Sequence, residues 1–190
     1  MGNNGVINIP EPKISRLLFA DTRSAWLWLI LRVYLGWEWV HAGWTKLLDP
    51  GWIGANAGTS LVAFLNNAEQ CSKACGAAVA TSWYWYFINN VALPHSILFS
   101  FLVTYGELLV GACLVIGAFT GIVATFGVFL NFNYLLAGIV SVNPLFIVVE
   151  LLLILAWRNA GWYGADHYLL PGLGTPWYPG TLFKRASQEE

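Results

Sequence analysis

Ionisable residues stand inside stretches built mostly of aliphatic and aromatic side chains. Glu107 lies near the middle of HSILFSFLVTYGELLVGACLVIG (95–117) and Glu150 within PLFIVVELLLILAWRNAG (144–161). Arg32, Glu38 and His41 lie within SAWLWLILRVYLGWEWVHAGWTKLL (24–48). An ionised residue at the centre of a lipid-embedded helix costs about 2.5–3.5 kcal/mol on insertion scales, so such a group marks a functional site and needs a partner. An arginine between two carboxylates in low dielectric neutralises one and leaves the other to take up a proton. Such a carboxylate can exchange protons with a quinone, so Glu107, Arg32 and Glu150 are the candidate catalytic set.

The elements that would hold these residues follow from composition and hydropathy. The 190 residues are 57% hydrophobic and 10% charged, against about 25% charged in a soluble domain, and mean hydropathy is +0.60. An integral membrane protein is expected. A net charge of -1 offers no basic surface for a phosphate backbone, which excludes nucleic acid as a partner. The 11 Trp and 8 Tyr suit repeated passage through a lipid interface.

Apolar runs long enough for a hydrocarbon core of about 30 Å predict spans at about 24–48, 95–117, 121–140 and 144–160. The expected fold is all-α, a single membrane four-helix bundle over residues 1–190 with a long external loop between the first two spans. Within that loop, Thr59 to Gln70 reads as a short amphipathic helix and Trp83 to Phe87 as an interfacial anchor, together capping one mouth of the bundle. Residues 1 to 23 contain no apolar run of signal-peptide type, so the first span is expected to be retained, and the tail from Trp162 is expected at the surface. Lys13, Arg16, Arg23, Arg158, Lys184 and Arg185 flank one side and Lys46 and Lys73 the other. The positive-inside rule then predicts a multi-pass protein of the cell membrane with both termini cytoplasmic.

On this topology Arg32, Glu107 and Glu150 all lie about 12–15 Å from the cytoplasmic boundary, which is what groups them. Alternatively, Arg32 and Glu107 form a structural pair fixing helix register, with Glu150 satisfied by Asn131 or by water. Asn131 and Asn133 can likewise bond across helices as packing groups. At 100° per residue, Arg32, Gly36, Trp39, Gly43 and Lys46 share one stripe of the first span, its glycines inviting close approach by a neighbour. Glu38 and His41 fall on a second stripe; with Asn131 they are candidates for a substrate or proton path, or else groups wetted from the external mouth.

His41, His95 and His167 have no metal-ligand spacing, and no haem, flavin or metal motif is evident. Cys71 and Cys75 lie on the side expected to be oxidising and can form a disulfide, but their spacing leaves the geometry undecided. Cys113 reads as a small hydrophobe in the second span.

Three segments resemble the DoxX/DoxD family of small four-helix membrane proteins: LRVYLGWEWVHAGWTKLLDP (31–50), with its arginine, spaced glycines and terminal Gly-x-x-Lys-Leu; YGELLVGACLVIGAFTGIVA (105–124), with its glutamate; and GWYGADHYLLPGL (161–173), with a Gly-x-x-x-x-Asp segment ending at Asp166. The long first loop is similar to the DoxD branch, the membrane subunit of thiosulfate:quinone oxidoreductase. The resemblance implies oxidation of thiosulfate to tetrathionate, quinone as substrate and a second protein subunit. The competing expectation is a non-catalytic membrane anchor or accessory subunit of a redox complex.

Overall fold

The computed structural model describes residues 12–74 and 82–174. Among these the chain is helical and contains no strand. The helices are Lys13–Ala20 (α1), Ala25–Leu48 (α2), Thr59–Ala74 (α3), Ser82–Phe87 (α4), Ser96–Ile116 (α5), Thr120–Leu136 (α6), Asn143–Leu155 (α7), Trp157–Ala160 (α8) and Asp166–Leu173 (α9). A π-helical turn, Ile88–Ala92, follows α4.

Four of these helices close a cycle in which α2 packs on α5, α5 on α6, α6 on α7 and α7 on α2. The α2–α5 pair is the tightest. A Cβ on Gly36 would lie 2.9 Å from the Gly111 carbonyl oxygen, and one on Gly43 would lie 2.9 Å from the Leu108 amide nitrogen. Backbones this close tolerate no side chain, the small-residue packing by which helices associate where water supplies no driving force. The contacts run antiparallel and set the register, with Gly43 beside Leu108 and Gly36 beside Gly111 and Val115.

Burial takes in charged groups of a kind that a soluble domain almost never buries fully, Arg and Glu. Arg32 and Glu150 are 0% exposed and Glu107 and Asn131 1%, whereas Trp26, Trp37, Leu109, Phe126, Phe129 and Leu155 face outward. Among the described residues one helix, Ser96–Ile116, is long and apolar enough to cross a membrane, and Thr120–Leu136 and Asn143–Leu155 are shorter apolar helices.

Several boundaries differ from the sequence-based expectation. The third span ends at Leu136, not near residue 140, because Gly138 turns at φ 92° and the Ile139 amide bonds back to the Tyr134 carbonyl at 2.9 Å. The fourth bends at Ala156, whose φ of −88° and ψ of 12° leave the helical region before α8. An additional helix, α1, packs on α8. It is tied down by Trp28 Nε1 and Asn159 Nδ2, which donate to the Leu18 carbonyl at 2.7 and 2.9 Å. Beyond it the Arg23 guanidinium bonds Asp21 at 2.6 Å and holds that carboxyl down at about 2. The tail from Trp162 does not simply lie on the surface, since Asp166 and Leu170 are buried.

The described residues between α2 and α5 pack on a second core that they share with the end of α6. Trp52, Leu61, Leu65, Tyr84, Ile88 and Ala137 form a buried cluster separate from the main one around Trp28, Leu35, Leu114 and Leu153. Asp49 starts it, its carboxylate accepting from the Gly51 amide and the Ser60 hydroxyl, each at 2.8 Å. This segment covers the end of the helix cycle at which α2 finishes and α5 begins. The proposed Cys71–Cys75 disulfide involves Cys75 and the side chain of Cys71, which lie outside the described residues.

Candidate functional site

The structure separates the three charged residues that the sequence grouped. Arg32 does not lie between Glu107 and Glu150. Its Nη1 donates to the Leu114 carbonyl at 2.8 Å and the Val115 carbonyl at 3.4 Å, and its Nη2 to the Tyr163 carbonyl at 3.2 Å. The Leu114 and Val115 carbonyls belong to the last turn of α5, which has no intrahelical partner for them and carries the negative end of the helix dipole, and the Tyr163 carbonyl lies in the link between α8 and α9. Gly117 has φ 74° and leaves no room for a Cβ, which would fall on the Arg32 guanidinium. Beside it, Asp166 accepts from the Phe119 and Thr120 amides at 2.5 and 2.9 Å and so caps α6. This end of the molecule is a knot of charge against backbone.

The correction has a simple cause. Depth counted from the ends of assumed spans ignores where two helices cross. The Gly36–Gly111 and Gly43–Leu108 contacts slide Arg32 toward the end of α5 and leave Glu107 opposite Gly43 and Lys46. Arg32 and Lys46 lie about 21 Å apart along α2 at 1.5 Å per residue.

Glu107 takes Lys46 as its counter-ion. Lys46 Nζ lies 2.7 Å from Glu107 Oε2, and the Tyr134 hydroxyl donates to Oε1. Lys46 also sits 5.3 Å from the centroid of the Trp52 ring. Phe64 of α3 packs edge-on between Trp52 and Tyr134, with centroid separations of 6.1 and 6.0 Å, so the covering segment holds two of the partners in place. An ammonium, a carboxylate and a phenol in line form a hydrogen-bonded chain along which a proton can pass.

Glu150 lies on a second level. Its Oε1 accepts from Trp39 Nε1 at 3.0 Å, and the Asn131 amide donates to both carboxylate oxygens at 3.0 and 2.9 Å. No cation among the described residues pairs with it. The bond to Asn131 is the alternative that the sequence left open. Gly127 makes room for this carboxylate, which a Cβ there would strike. Asn131 and Tyr134 are three residues apart on α6 and so share a face, which stacks the Glu150 and Glu107 levels. Asn133 points elsewhere, accepting from the Tyr84 hydroxyl at 2.8 Å.

Two cavities meet at the Glu107 level. A polar one of about 240 Å³ is bordered by Glu38, His41, Lys46, Glu107, Asn131 and Tyr134, and reaches the α6–α7 link at Ser141 to Asn143. It brings together every residue of the expected substrate or proton path, and adds Lys46 and Tyr134. The other, about 760 Å³, is an almost wholly apolar cleft between α5 and α6, bordered by Leu102, Gly106, Val110, Phe126, Phe129 and Tyr134 among others. Phe64 and Tyr134 border both. Cys113 also faces the apolar cleft, as a free thiol.

Sequence reasoning gave no site role to Tyr134, Trp39, Asp166 or Lys46. Lys46 and Trp39 carried a signal, since both share the Arg32 stripe; Tyr134 carried none, because an aromatic near the end of an apolar helix is ordinary. No group of metal-ligating residues occurs among the described residues.

Compared with known proteins, residues 27–176 match the family described as TQO small subunit DoxD, a range that takes in both levels of the site and the Arg32 knot. No curated protein and no solved structure matches.

Proposed function

Since the chain belongs to the DoxD family, the small subunit of thiosulfate:quinone oxidoreductase, we propose that it is the quinone-binding membrane subunit of an oxidoreductase of that type. The family is membrane-associated. On this reading α2, α5, α6 and α7 are four membrane spans, their outward apolar faces meet lipid, and both termini are cytoplasmic. The Lys13, Arg16, Arg23 and Arg158 end then faces the cytoplasm and the α3-covered end faces outward. The small-subunit role calls for a second protein subunit, which the outward-facing segments are placed to meet.

The observation that carries the reading is the apolar cleft, whose lining includes Tyr134, the phenol hydrogen-bonded to the Glu107 carboxylate. At about 760 Å³ it falls within the range of roughly 300–1,000 Å³ that cofactor and ligand sites occupy. Its entrance between α5 and α6 is flanked by exposed Leu102, Leu109, Phe126 and Phe129, so a polyprenyl tail can lie along it while the quinone ring reaches Tyr134 and, through its hydroxyl, is linked to Glu107. Quinone reduction takes two electrons and two protons. Glu107 is the acid that supplies protons, with Glu150 held in reserve on the adjoining level. Oxidation of two thiosulfate ions to tetrathionate supplies the two electrons, and the polar cavity beside Lys46, Glu38 and His41 is the aqueous approach.

The test is quinone reduction with thiosulfate as donor, by the chain alone and with the subunits that copurify with it. Reduction that is lost in Glu107→Gln, in protein that still inserts and binds quinone, supports the reading. Absence of both reduction and quinone binding in every preparation would leave the non-catalytic anchor.

A further inference from the structure

The side chain shared by the two cavities that also carries an exchangeable proton is Tyr134. Resting on the quinone reading above, we infer that Tyr134 is the direct proton donor to the quinone, and that Glu107 and Lys46 resupply it from the polar cavity at the α3-covered end.

The geometry provides each link. Tyr134 borders the apolar cleft, whereas Glu107 does not; Glu107 is reached through the Tyr134 hydroxyl, which donates to Oε1. The opposite oxygen, Oε2, faces Lys46 Nζ at 2.7 Å, and Lys46 borders the polar cavity. For each proton, the Tyr134 O–H bond breaks as the O–H bond of the reduced quinone forms. Lys46 then passes a proton to Oε2, the neutral carboxyl group turns to present that hydrogen to the phenolate, the phenolate takes it and restores the carboxylate, and the Lys46 amine recovers its proton from water in the cavity. Two such cycles, with two electrons from thiosulfate, convert quinone to quinol. Glu38 and His41 on α2 face the same cavity, and Glu150 of α7 touches it through Asn131. Arg32 lies outside this path, at the other end of α2.

One consequence concerns sidedness. The protons consumed enter from the face covered by α3, so turnover draws protons from the compartment at that end and none from the compartment at the α1 end.

The test uses the full chain copurified with its partner subunit, decylubiquinone as acceptor, thiosulfate as donor, and quenching of Trp fluorescence to measure quinone binding. Tyr134→Phe is expected to bind decylubiquinone within about twofold of wild type while kcat falls about 100-fold, the scale of losing a positioned acid. Lys46→Arg preserves the charge opposite Glu107 but does not release a proton. It is expected to lower kcat with binding and melting unchanged, and Lys46→Ala is expected to regain turnover when methylamine is added. A role in packing alone would spare kcat in Lys46→Arg and would not respond to methylamine. Wild-type kcat in Tyr134→Phe or Lys46→Arg overturns the relay while leaving the quinone site standing; failure of the wild-type complex to bind decylubiquinone overturns the site itself. A measurement without variants decides the matter independently: in liposomes with the α3 end outward, proton uptake from outside supports the relay and uptake from the lumen overturns it.

Discussion

Two clusters of buried charge occupy opposite ends of α2, and they are built on different principles. At one end Arg32 is surrounded by main-chain carbonyls and Asp166 by main-chain amides. Each charge there completes a helix terminus, and the cavity of about 450 Å³ at that end is bordered by Asp166 and apolar side chains such as Ile122, Ile154 and Leu170. At the other end Lys46, Glu107 and Tyr134 bond to one another through side chains and border two cavities. Backbone partners fix geometry and exchange no protons, whereas side-chain partners beside a cavity can exchange them. Burial alone therefore does not mark a working charge; the chemical type of its partners does.

The sharpest way to break this contrast is to remove one charge from each end. Arg32→Met strands the carbonyls of Leu114 and Tyr163, and is expected to destabilise the fold by about 3–5 kcal/mol, the range for breaking a buried charge set. Thermal unfolding in detergent measures it. Glu107→Gln is expected to remain folded, with a smaller loss of stability than Arg32→Met, while quinone turnover falls about 100-fold. Were Arg32→Met to fold normally and lose turnover in the same proportion, the two ends would not differ in kind.

What the sequence revealed follows the same division. Periodicity along α2 placed Arg32, Gly36, Trp39, Gly43 and Lys46 on one face, and the structure turns Arg32, Gly36, Trp39 and Gly43 into the interior. The all-helical character and the amphipathic helix after residue 58 were legible for the same reason, since each is a local property of the chain. Partners were not. Whether Glu107 meets Arg32 or Lys46 depends on where α2 crosses α5, and a crossing set by glycine contacts has no one-dimensional signature. Asp166 was visible as the end of a Gly-x-x-x-x-Asp segment, but its target, the start of α6, is distant in sequence. Ser141, at φ 36°, sits in the link that shortened α6, a turn that hydropathy alone extended into helix.

A smaller effect is expected from the second level. Gly127→Ala places a methyl against the Glu150 carboxylate and is expected to cost about 1–3 kcal/mol, as overpacking does. Because Trp39 donates to Glu150, the indole should report the displacement as a shift in Trp emission. Turnover is expected to fall far less than in Glu107→Gln. An equal fall would merge the two carboxylate levels into one site and weaken the assignment of proton supply to Glu107.

The mildest expected effect lies in the covering segment, at Tyr84. Its hydroxyl donates to Asn133, and burial pushes its ionisation from 10.0 up to about 12. The phenol is thus protonated in the folded protein over a range in which the unfolded chain has released it. Between pH 10 and about 12 the folded state binds more protons than the unfolded one, so stability falls as pH rises through that window. Tyr84→Phe is expected to lose the hydrogen bond, about 0.5–1.5 kcal/mol at neutral pH, and to show a shallower decline in stability above pH 10. Lysines and other tyrosines titrate in both proteins, so the difference between the two unfolding curves isolates this residue. A difference that stays constant with pH would mean that the Tyr84 phenol is open to water at the mouth of the cleft, and that α4 does not seal the apolar cavity at that end.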